Sequence, residues 1–406
     1  MDDLGDQRQE QRATSEVGDF VSQWLTAHGD QIVEWRRHLH SHPELSHMES
    51  KTTDFLVEAL ESRGLHPRRL PSTGLTVDVG PDDAPLIAFR GDIDALPLDE
   101  VTGLEFASEH PGVMHACGHD MHTTIVLALM IALQEFVHER GADALGVQVR
   151  GIFQPAEEVM DGGAVDVIEA GALSGVSKIF AVHCEPKLRV GQVGVRTGAI
   201  TSAADVVEVV LRGQGGHTSR PHMTVDLIYA AGLLATELPG VLSRRVDPRS
   251  GSVLTFGAIN GGATFNAMPQ EVRLLGSFRT AQIGVWRDAQ GMLKELIDSI
   301  VAPTGASVEL RYTKGVPPVT NDDVSTALLA NAVKNVDPHA LREAPQSSGG
   351  EDFSWYLEHV PGAMARLGTW NGKGVRPDLH QPDIIFDERA LRVGVRLFAG
   401  VVDQFR

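Results

Sequence analysis

The sequence predicts an α/β fold with two domains. The larger domain has a largely parallel central sheet flanked by helices, and an inserted α+β domain interrupts it. Two observations predict it. Short apolar runs alternate with helical patterns over the first half of the chain, which favours a parallel sheet. Near residue 198 the pattern changes to strand, helix, two strands, helix and strand, an order typical of a small sandwich domain. After Thr313 the α/β pattern returns.

The first part of the chain begins with polar residues 1–18, which lack periodicity and predict a flexible N-terminal arm. From Phe20 to Leu39 apolar residues recur at helical spacing, with Gly29 as the point where this helix can divide. A second helix is expected at about 52–63, ending at Gly64. Further along, apolar runs predict strands at 86–89, 147–153 and 178–182, and an apolar helix at about 123–138.

The inserted domain is expected to hold strands at 205–211, 252–259 and 271–279 and helices at about 225–238 and 285–301. The expected domain limits are therefore 19–197 for the first part of the larger domain, 198–312 for the insert and 313–406 for the second part. A length of 406 residues is ample for two domains.

Charge and cysteine content narrow the class of protein. The chain has 35 Lys and Arg against 54 Asp and Glu, a net charge of −19, which argues against nucleic acid or an anionic membrane as a partner. Its two cysteines provide no disulfide framework, which suits a reducing compartment. No secretory signal is visible, and the longest apolar run, 125–133, is too short to span a bilayer. We therefore expect a cytoplasmic location.

One of the two cysteines lies in a stretch rich in metal-binding side chains, His115-Ala-Cys117-Gly-His119-Asp-Met-His122. Cys117 and His119 are two residues apart, so they point to the same side of an extended backbone, and both residue types bind zinc. The alternative is a buried cysteine among histidines that cap the following helix. We expect His115 and His122 to support or cap this region.

Three further features follow predicted strands or lie in loops: the pair Glu157-Glu158, His183 and His380. Neighbouring glutamates point different ways, so one can bind a metal while the other takes a proton from water. Taken singly, the pair is more typical of a solvated acidic turn and His183 of a buried histidine without a ligand role, while His380 alone indicates almost nothing. Their joint occurrence at the carboxyl ends of strands indicates a metal site.

The chain also resembles the two-metal amidohydrolases related to aminoacylase and carboxypeptidase G, in the branch of the hippurate hydrolases and the auxin-amino acid conjugate hydrolases. The resemblance runs from about residue 33 to the C-terminus. The segments that carry it are 36–45, Arg90-Gly-Asp-Ile-Asp-Ala-Leu-Pro97, 111–120, Gln154-Pro-Ala-Glu-Glu158, Gly215-Gly-His217, 265–269, Glu351-Asp-Phe353 and Leu379-His380.

The resemblance implies a role for each matching position. Cys117, His119, Glu158, His183 and His380 match the ligands of two divalent ions, with zinc favoured and manganese, cobalt or nickel compatible. Glu157 matches the catalytic acid and base, and His217 a histidine that reaches the partner subunit's oxyanion. Asn266 and Arg279 match positions that bind the substrate carboxylate, although Arg279 alone is more typical of a strand-face ion pair. We expect Asp92 and Asp120 to orient ligands.

These implications predict a metal-dependent amidohydrolase that cleaves small-molecule N-acyl amino acids, with the insert as a lid and dimerisation domain of a homodimer. Two alternatives stay open: a dipeptidase or carboxypeptidase with the same machinery, and a catalytically silent paralogue that binds conjugates. Met121, Thr218 and Ser219 depart from the residues usual at their positions. They remove no ligand, so they leave the chemistry intact and the specificity open.

Overall fold

The computed structural model describes residues 16–160, 162–376 and 378–406. These residues form ten α-helices: α1 Glu16–Ala27, α2 Gly29–Ser41, α3 Ser50–Glu61, α4 His119–Arg140, α5 Gly163–Glu169, α6 Leu227–Leu242, α7 Ile283–Val301, α8 Asp323–Val336, α9 Phe353–Leu357 and α10 Arg389–Val402.

The same residues form sixteen β-strands. In chain order these are β1 Arg68–Arg69, β2 Leu75–Val79, β3 Leu86–Asp92, β4 Gln148–Gln154, β5 Val176–Arg189, β6 Val193–Val195, β7 Gly198–Ala199, β8 Ala204–Arg212, β9 Gly216–His217, β10 Val253–Asn260, β11 Ala267–Met268, β12 Glu271–Arg279, β13 Ser307–Val316, β14 Thr320–Asn321, β15 Leu341–Glu343 and β16 Gly362–Trp370.

The described residues divide into two compact units. Unit 1 comprises residues 16–198, 321–345 and 355–406, and unit 2 comprises 199–320 and 346–354. The expected limit of the insert at residue 312 lies inside β13, and residues 346–354 join unit 2 although the sequence placed them in the larger domain. Both differences arise because strand β13 and a later loop return to unit 2 after its helices are complete.

The N-terminal arm expected over 1–18 is wrong at its end, because α1 begins at Glu16; residues 1–15 lie outside the described residues. Val17 and Val21 are fully buried in the core of unit 1, which explains why the helix starts so early. The helical pattern of 20–39 divides between α1 and α2, with α2 beginning at Gly29.

Helix α4 is 22 residues long, so it is longer than the apolar run 125–133 suggested and is long and apolar enough to cross a membrane by length and composition. However, 78% of its apolar window is buried inside the protein. Its residues from His119 to Leu133 are all buried, and they form the centre of the hydrophobic core of unit 1. Such burial on all sides is typical of the core helix of a large α/β domain.

Unit 1 is built on an eight-stranded sheet in the order β1-β2-β4-β3-β5-β16-β6-β15. The pairs β3–β4, β3–β5, β16–β5 and β15–β6 are parallel, whereas β2–β4 and β16–β6 are antiparallel. All seven residues of β3 are buried, as expected of a central parallel strand. Because Asp92 of β3 pairs with Gln154 of β4, the carboxyl ends of these two strands are level.

Unit 2 is a two-layer α+β sandwich. Its four-stranded antiparallel sheet has the order β10-β12-β8-β13, and α6 and α7 contribute to the core on one face through residues such as Leu234 and Leu293. The opposite face carries exposed ion pairs, among them Arg212 with Glu271 and Glu309. The predicted fold class, a largely parallel α/β domain interrupted by an α+β sandwich, is confirmed.

Candidate metal centre

Several predicted site residues of unit 1 lie in or just after neighbouring strands of its sheet. Glu157 and Glu158 follow β4, and Asp92 ends β3. His183 lies within β5 rather than at its end, because that strand continues to Arg189; the pairing of β5 with β3 stops at Ala181, two residues earlier. The carboxyl edge of parallel strands is where α/β domains usually place their chemistry.

Cys117 and His119 lie at the start of α4, separated by Gly118. The expectation that they share an extended segment is wrong: Gly118 has φ +89°, and His119 is already the first helical residue. A side chain on Gly118 would lie 2.8 Å from the Cys184 sulfur, so this sharp turn requires glycine. Both ligand side chains nevertheless point to the same cluster, because the turn redirects the chain between them.

The tautomer of His119 is fixed by Asp94. Nδ1 of His119 lies 3.0 Å from the backbone carbonyl oxygen of Asp94 and 3.0 Å from its Oδ1, so Nδ1 carries the hydrogen and donates it. The lone pair of Nε2 then faces Oε2 of Glu157 at 3.8 Å and Oε1 of Glu158 at 3.7 Å. Among the described residues this buried nitrogen has no hydrogen-bond partner.

Oδ2 of Asp92 is a third carboxylate oxygen near Nε2, at 3.6 Å. A lone pair that faces three carboxylates in a buried site requires a cation or a proton between them. Burial lowers the pKa of His119, but the Asp92 carboxylate and the Cys117 sulfur outweigh this effect and raise the pKa well above its usual value. The three ligand atoms of His119, Glu157 and Glu158 lie within 4.8 Å of one another. This geometry fits a divalent cation.

A second group shares Glu158 with the first. The ligand atoms of Cys117, Glu158 and His380 also lie within 4.8 Å of one another, and Nε2 of His380 is 3.4 Å from Oε1 of Glu158. His380 adopts the left-handed conformation, φ +61°, while its backbone N–H donates to the carbonyl of Ala116 at 3.0 Å. This bond ties the C-terminal segment to the chain directly before Cys117.

His183 completes the set of predicted ligands. Its Nδ1 donates to the carbonyl oxygen of Cys184 at 2.8 Å, which leaves the lone pair of Nε2 facing the sulfur of Cys117 at 3.5 Å. Burial lowers the pKa of His183 well below its usual value and raises the pKa of the Cys117 thiol. A neutral imidazole beside a buried thiol fits a soft or borderline divalent ion such as zinc, which displaces the thiol proton on binding.

All five predicted ligands therefore lie in one cluster of unit 1. Two overlapping groups of sulfur, imidazole and carboxylate donors share Glu158, and Glu157 lies beside them with 10% of its side chain exposed. The donor set fits divalent metal ions, with a carboxylate that is not a predicted ligand, that of Glu157, next to them.

The hydrogen bonds of Asp92 and Asp120 go to residues other than the predicted ligands. Asp92 accepts a hydrogen bond from Nδ1 of His122 at 2.7 Å, and its other oxygen is 2.5 Å from Nη1 of Arg90. Nε2 of His122 in turn accepts the backbone N–H of Cys184 at 2.8 Å. Asp92 thus supports the backbone beside His183 and does not receive the N–H of a predicted ligand.

Asp120 belongs to a buried ionic network behind the cluster. Its Oδ2 lies 2.7 Å from Nε of Arg36 and 2.8 Å from Nδ1 of His40. Nε2 of His40 lies 3.3 Å from Oε1 of Glu100. Burial and the charge of Arg36 lower the pKa of His40, but its hydrogen bonds with the two carboxylates raise this pKa overall. Burial raises the pKa of Glu100, but its hydrogen bonds, first that with His40, lower it to about 2.

Sequence reasoning missed Asp94, the residue that orients two ligand segments. Its Oδ1 holds His119, whereas its Oδ2 accepts the backbone N–H of Glu158 at 3.0 Å and the hydroxyl of Ser46 at 2.7 Å. The available signal was its position two residues after Asp92, on the same side of the strand end. His115, expected to support the site, is buried, and its ring nitrogens have no hydrogen-bond partner among the described residues.

In unit 2, His217 and Asn266 are adjacent. Strand β9 pairs with β11 so that Ala267 lies opposite His217, and Thr218 N–H donates to the carbonyl of Asn266 at 3.2 Å. Nδ1 of the exposed His217 accepts the backbone N–H of Ser219 at 3.1 Å. In a neutral ring the hydrogen is therefore on Nε2, which makes His217 a donor towards solvent.

Arg279 lies elsewhere in unit 2, at the last residue of β12, and its Nη1 donates to the carbonyl of Ser348 at 2.7 Å. Asn266 precedes the first residue of that strand. Eight steps of about 3.4 Å each separate the two ends of β12, roughly 27 Å. The structure therefore does not bring Asn266 and Arg279 of one chain together, although the resemblance implied a common carboxylate.

Fold and cluster together define a class of protein, the metal-dependent hydrolases with their site at the carboxyl edge of an α/β sheet. The profile of Peptidase family M20/M25/M40 matches residues 88–404, and this chain belongs to that family. The predicted resemblance is confirmed.

Similar proteins agree with this assignment. A Rhodococcus jostii protein with a glutamate–cysteine ligase name is 50% identical over 90% of this chain, although the chain spans only 45% of its length. The N-acetyl-L-cysteine deacetylase of Bacillus subtilis is 39% identical, over 89% of this chain and 85% of the deacetylase. The crystal structure of Bacillus subtilis YXEP, described as a dinuclear metal-binding M20 peptidase, has a TM-score of 0.81 and 34% identity over 93% of this chain and 98% of that one.

Proposed function

We propose that this protein hydrolyses the amide bond of N-acyl amino acids and releases a free amino acid and a carboxylic acid. One observation carries the proposal: the carboxylates of Glu157 and Glu158 face the unpartnered Nε2 of His119 at 3.8 and 3.7 Å. A cation site with a carboxylate beside it is what the activation of water for attack on an amide requires.

Two divalent ions are proposed, held by Cys117, His119, Glu158, His183 and His380. Such ions polarise the amide carbonyl and lower the pKa of water towards about 7. We propose zinc because one thiolate and three imidazoles suit it, with manganese, cobalt or nickel as alternatives. The description of YXEP as dinuclear supports the number of ions.

Glu157 is the proposed general base and acid. Its carboxylate removes a proton from the attacking water and returns a proton to the departing amine, a contribution of about 10²–10⁴-fold for a well-placed group. The predicted consequence is specific: Glu157→Gln should retain the metal content of the wild type and lose at least about 100-fold in kcat. A Glu157→Gln variant with wild-type turnover would assign the base to another residue.

We propose that His217 donates a hydrogen bond from Nε2 to the oxyanion, and that Asn266 and the guanidinium of Arg279 bind the substrate carboxylate. The length of β12 supports a homodimer in which a substrate meets Arg279 of one chain and Asn266 of the other. Mixing subunits tests it. Glu157→Gln and His217→Ala homodimers should each be inactive, and random re-pairing in a two-fold dimer should restore about a quarter of the sites. If both residues serve their own chain, mixing restores nothing.

The substrate proposal begins with N-acetyl-L-cysteine, because a relative 39% identical to this chain is named for its deacetylation. A dipeptidase or carboxypeptidase activity is the second candidate, supported by the description of YXEP as a peptidase. A catalytically silent, conjugate-binding protein is a more distant candidate. A panel of N-acetyl and N-benzoyl amino acids beside dipeptides separates the three.

The first experiment is metal content per chain, followed by hydrolysis of that panel before and after chelation and reconstitution with Zn²⁺ or Mn²⁺. Close to two ions per chain and restorable cleavage of N-acyl amino acids are expected. Cleavage of dipeptides alone would replace the proposal by the peptidase candidate. Because a thiol ligand binds metal only when reduced, we propose the cytoplasm as its location, which its cysteine content also suits.

A further inference from the structure

Two non-glycine residues in the left-handed region share one acceptor. His47 has φ +63° and Ala156 has φ +53°, and both donate their backbone N–H to the same oxygen, Oε1 of Glu49, at 3.0 and 2.8 Å. The other oxygen of Glu49 accepts the hydroxyl of Thr73 at 2.7 Å. Glu49 is completely buried, so its carboxylate is committed to these contacts.

Ala156 directly precedes the glutamate pair. The left-handed conformation is unfavourable for a residue with a Cβ atom, so it persists only where surrounding contacts hold it. Here two contacts do so: Glu49 binds the N–H of Ala156, and the carbonyl of Ala156 accepts the N–H of Gly163 at 2.8 Å. The conformation of Ala156 determines the direction in which the chain enters Glu157 and Glu158.

The opposite side of the pair is held by a second buried carboxylate. Oδ2 of Asp94 accepts the N–H of Glu158 at 3.0 Å. The backbone around Glu157 is therefore held on both sides, by Glu49 before it and by Asp94 after it. Both carboxylates bind backbone N–H groups, those of Ala156 and Glu158. They therefore affect the directions in which the side chains of Glu157 and Glu158 leave the backbone.

The side chain of Glu49 does not cap the helix that it precedes. It occupies the N-cap position of α3, where a side chain commonly accepts a hydrogen bond from the first turn, yet it makes no such bond. That task falls to Glu44, whose Oε2 accepts the N–H and hydroxyl of Thr52 at 2.8 and 3.0 Å. A purely structural role for Glu49 in starting α3 is therefore unnecessary.

We propose that Glu49 is a positioning residue of the hydrolytic site: its carboxylate holds Ala156 in the left-handed conformation and so sets the directions of Glu157 and Glu158. The part that concerns Glu157 rests on the proposed function, whereas the part that concerns Glu158 rests only on a cation-binding role. The two parts can be measured separately.

The test compares Glu49→Gln with Glu49→Asp. Gln keeps an oxygen at the same reach without the charge, whereas Asp keeps the charge but withdraws it by one bond length, about 1.5 Å. If position matters, Asp is the damaging change. A misplacement of about 1 Å can cost about 100-fold, so we expect Glu49→Asp to lose 10- to 100-fold in kcat with KM within about threefold, and Glu49→Gln to lose less than about fivefold.

A second variant examines the conformation directly. Glycine adopts positive φ without a steric cost, so Ala156→Gly should restore part of the kcat that Glu49→Asp loses, at least about threefold. Glu44→Asp is the matched control: it withdraws the acceptor of Thr52 by the same bond length and weakens the start of α3, so we expect lower thermal stability with kcat unchanged. Equal kcat losses in Glu44→Asp and Glu49→Asp would overturn the proposal, because both would then act through α3.

Cobalt binding provides a readout that requires no substrate. Titration of the metal-free protein with Co²⁺ should show weaker binding and an altered absorption spectrum in Glu49→Asp, through Glu158, but nearly wild-type behaviour in Glu49→Gln. If the wild type hydrolyses nothing on the panel, the proposed function fails while this measurement still decides the role of Glu49. An unchanged Co²⁺ affinity and spectrum in Glu49→Asp would overturn that role.

Discussion

Replacement of Asp94 by Asn is a sensitive test of how the metal cluster is organised. The two side chains have the same shape, but one carboxylate oxygen becomes an NH₂ group, which can only donate. In the wild type both oxygens face donors: Oδ1 faces Nδ1–H of His119 at 3.0 Å, and Oδ2 faces the N–H of Glu158 at 3.0 Å. Either orientation of the amide therefore places two donors against each other.

The magnitude follows from the two contacts. With NH₂ towards Glu158 the backbone N–H loses its charged acceptor, and with NH₂ towards His119 the ring is pushed from the orientation that presents Nε2 to the cluster. Loss of such an outer contact typically costs 10- to 100-fold in metal affinity, about 1.4–2.7 kcal/mol. The metal-free protein should also lose about 1.5–3 kcal/mol of unfolding free energy with one hydrogen bond to a charged group.

The assay is a competition titration of Zn²⁺ against a chromophoric chelator, with urea unfolding of the metal-free protein alongside it. Asp78→Asn is the control. It also removes one negative charge from unit 1, but among the described residues the side chain of Asp78, on β2, forms only the ion pair with Arg150. Its Zn²⁺ affinity should equal that of the wild type. A Zn²⁺ affinity of Asp94→Asn within twofold of the wild type would refute the reasoning.

Two further predictions concern stability. The pKa of His40 is raised in the folded protein. Its contribution to the unfolding free energy is therefore complete below about pH 6.5 and is lost as the pH rises through the folded pKa. The stability advantage of the wild type over His40→Gln should accordingly fall above neutrality by at most about 1.4 kcal/mol per pH unit. Urea unfolding between pH 5 and 9 measures it, and a constant difference would contradict it. Gly118→Ala introduces a Cβ at φ +89° and 2.8 Å from the Cys184 sulfur, so the unfolding free energy should drop by about 2–5 kcal/mol. A change under about 0.5 kcal/mol would show that Cys184 moves aside at no cost.

The order and approximate bounds of the helices and strands could be predicted because they depend on local sequence patterns. Strand β12 has the predicted bounds 271–279, and β3, β4 and β8 differ from their predicted bounds by only a few residues. The five ligands could be proposed together because they match the ligand positions of the family that the chain resembles. His380 carried no signal of its own, and His183 lies within β5 and not after it. Confirmation of the family came from 317 matched positions that extend well beyond those motifs, residues 88–404.

The supporting residues could not be predicted, because their partners are distant in the chain. Asp94 lies 25 positions before His119, and Glu49 lies 107 positions before Ala156. The sequence prediction selected Asp92, and Asp94 lies two residues further along the chain. Arg90 of the same strand forms an ion pair with Asp92, which leaves Asp94 to bind His119. Only the packing of β3 beside β4 and α4 distinguishes the two.

The division of unit 1 along the chain has a consequence for biosynthesis. Helix α10, residues 389–402, supplies Val395 and Phe398 to the core of unit 1 and follows every other α-helix of the described residues along the chain. Residues 199–320, the larger part of unit 2, leave the ribosome earlier, and domains tend to fold as units in the order of their synthesis. The nascent chain therefore carries an N-terminal half that waits for its final helix while the insert can already fold. Until α10 is synthesised, the part of α4 that packs against α10 keeps its apolar surface exposed.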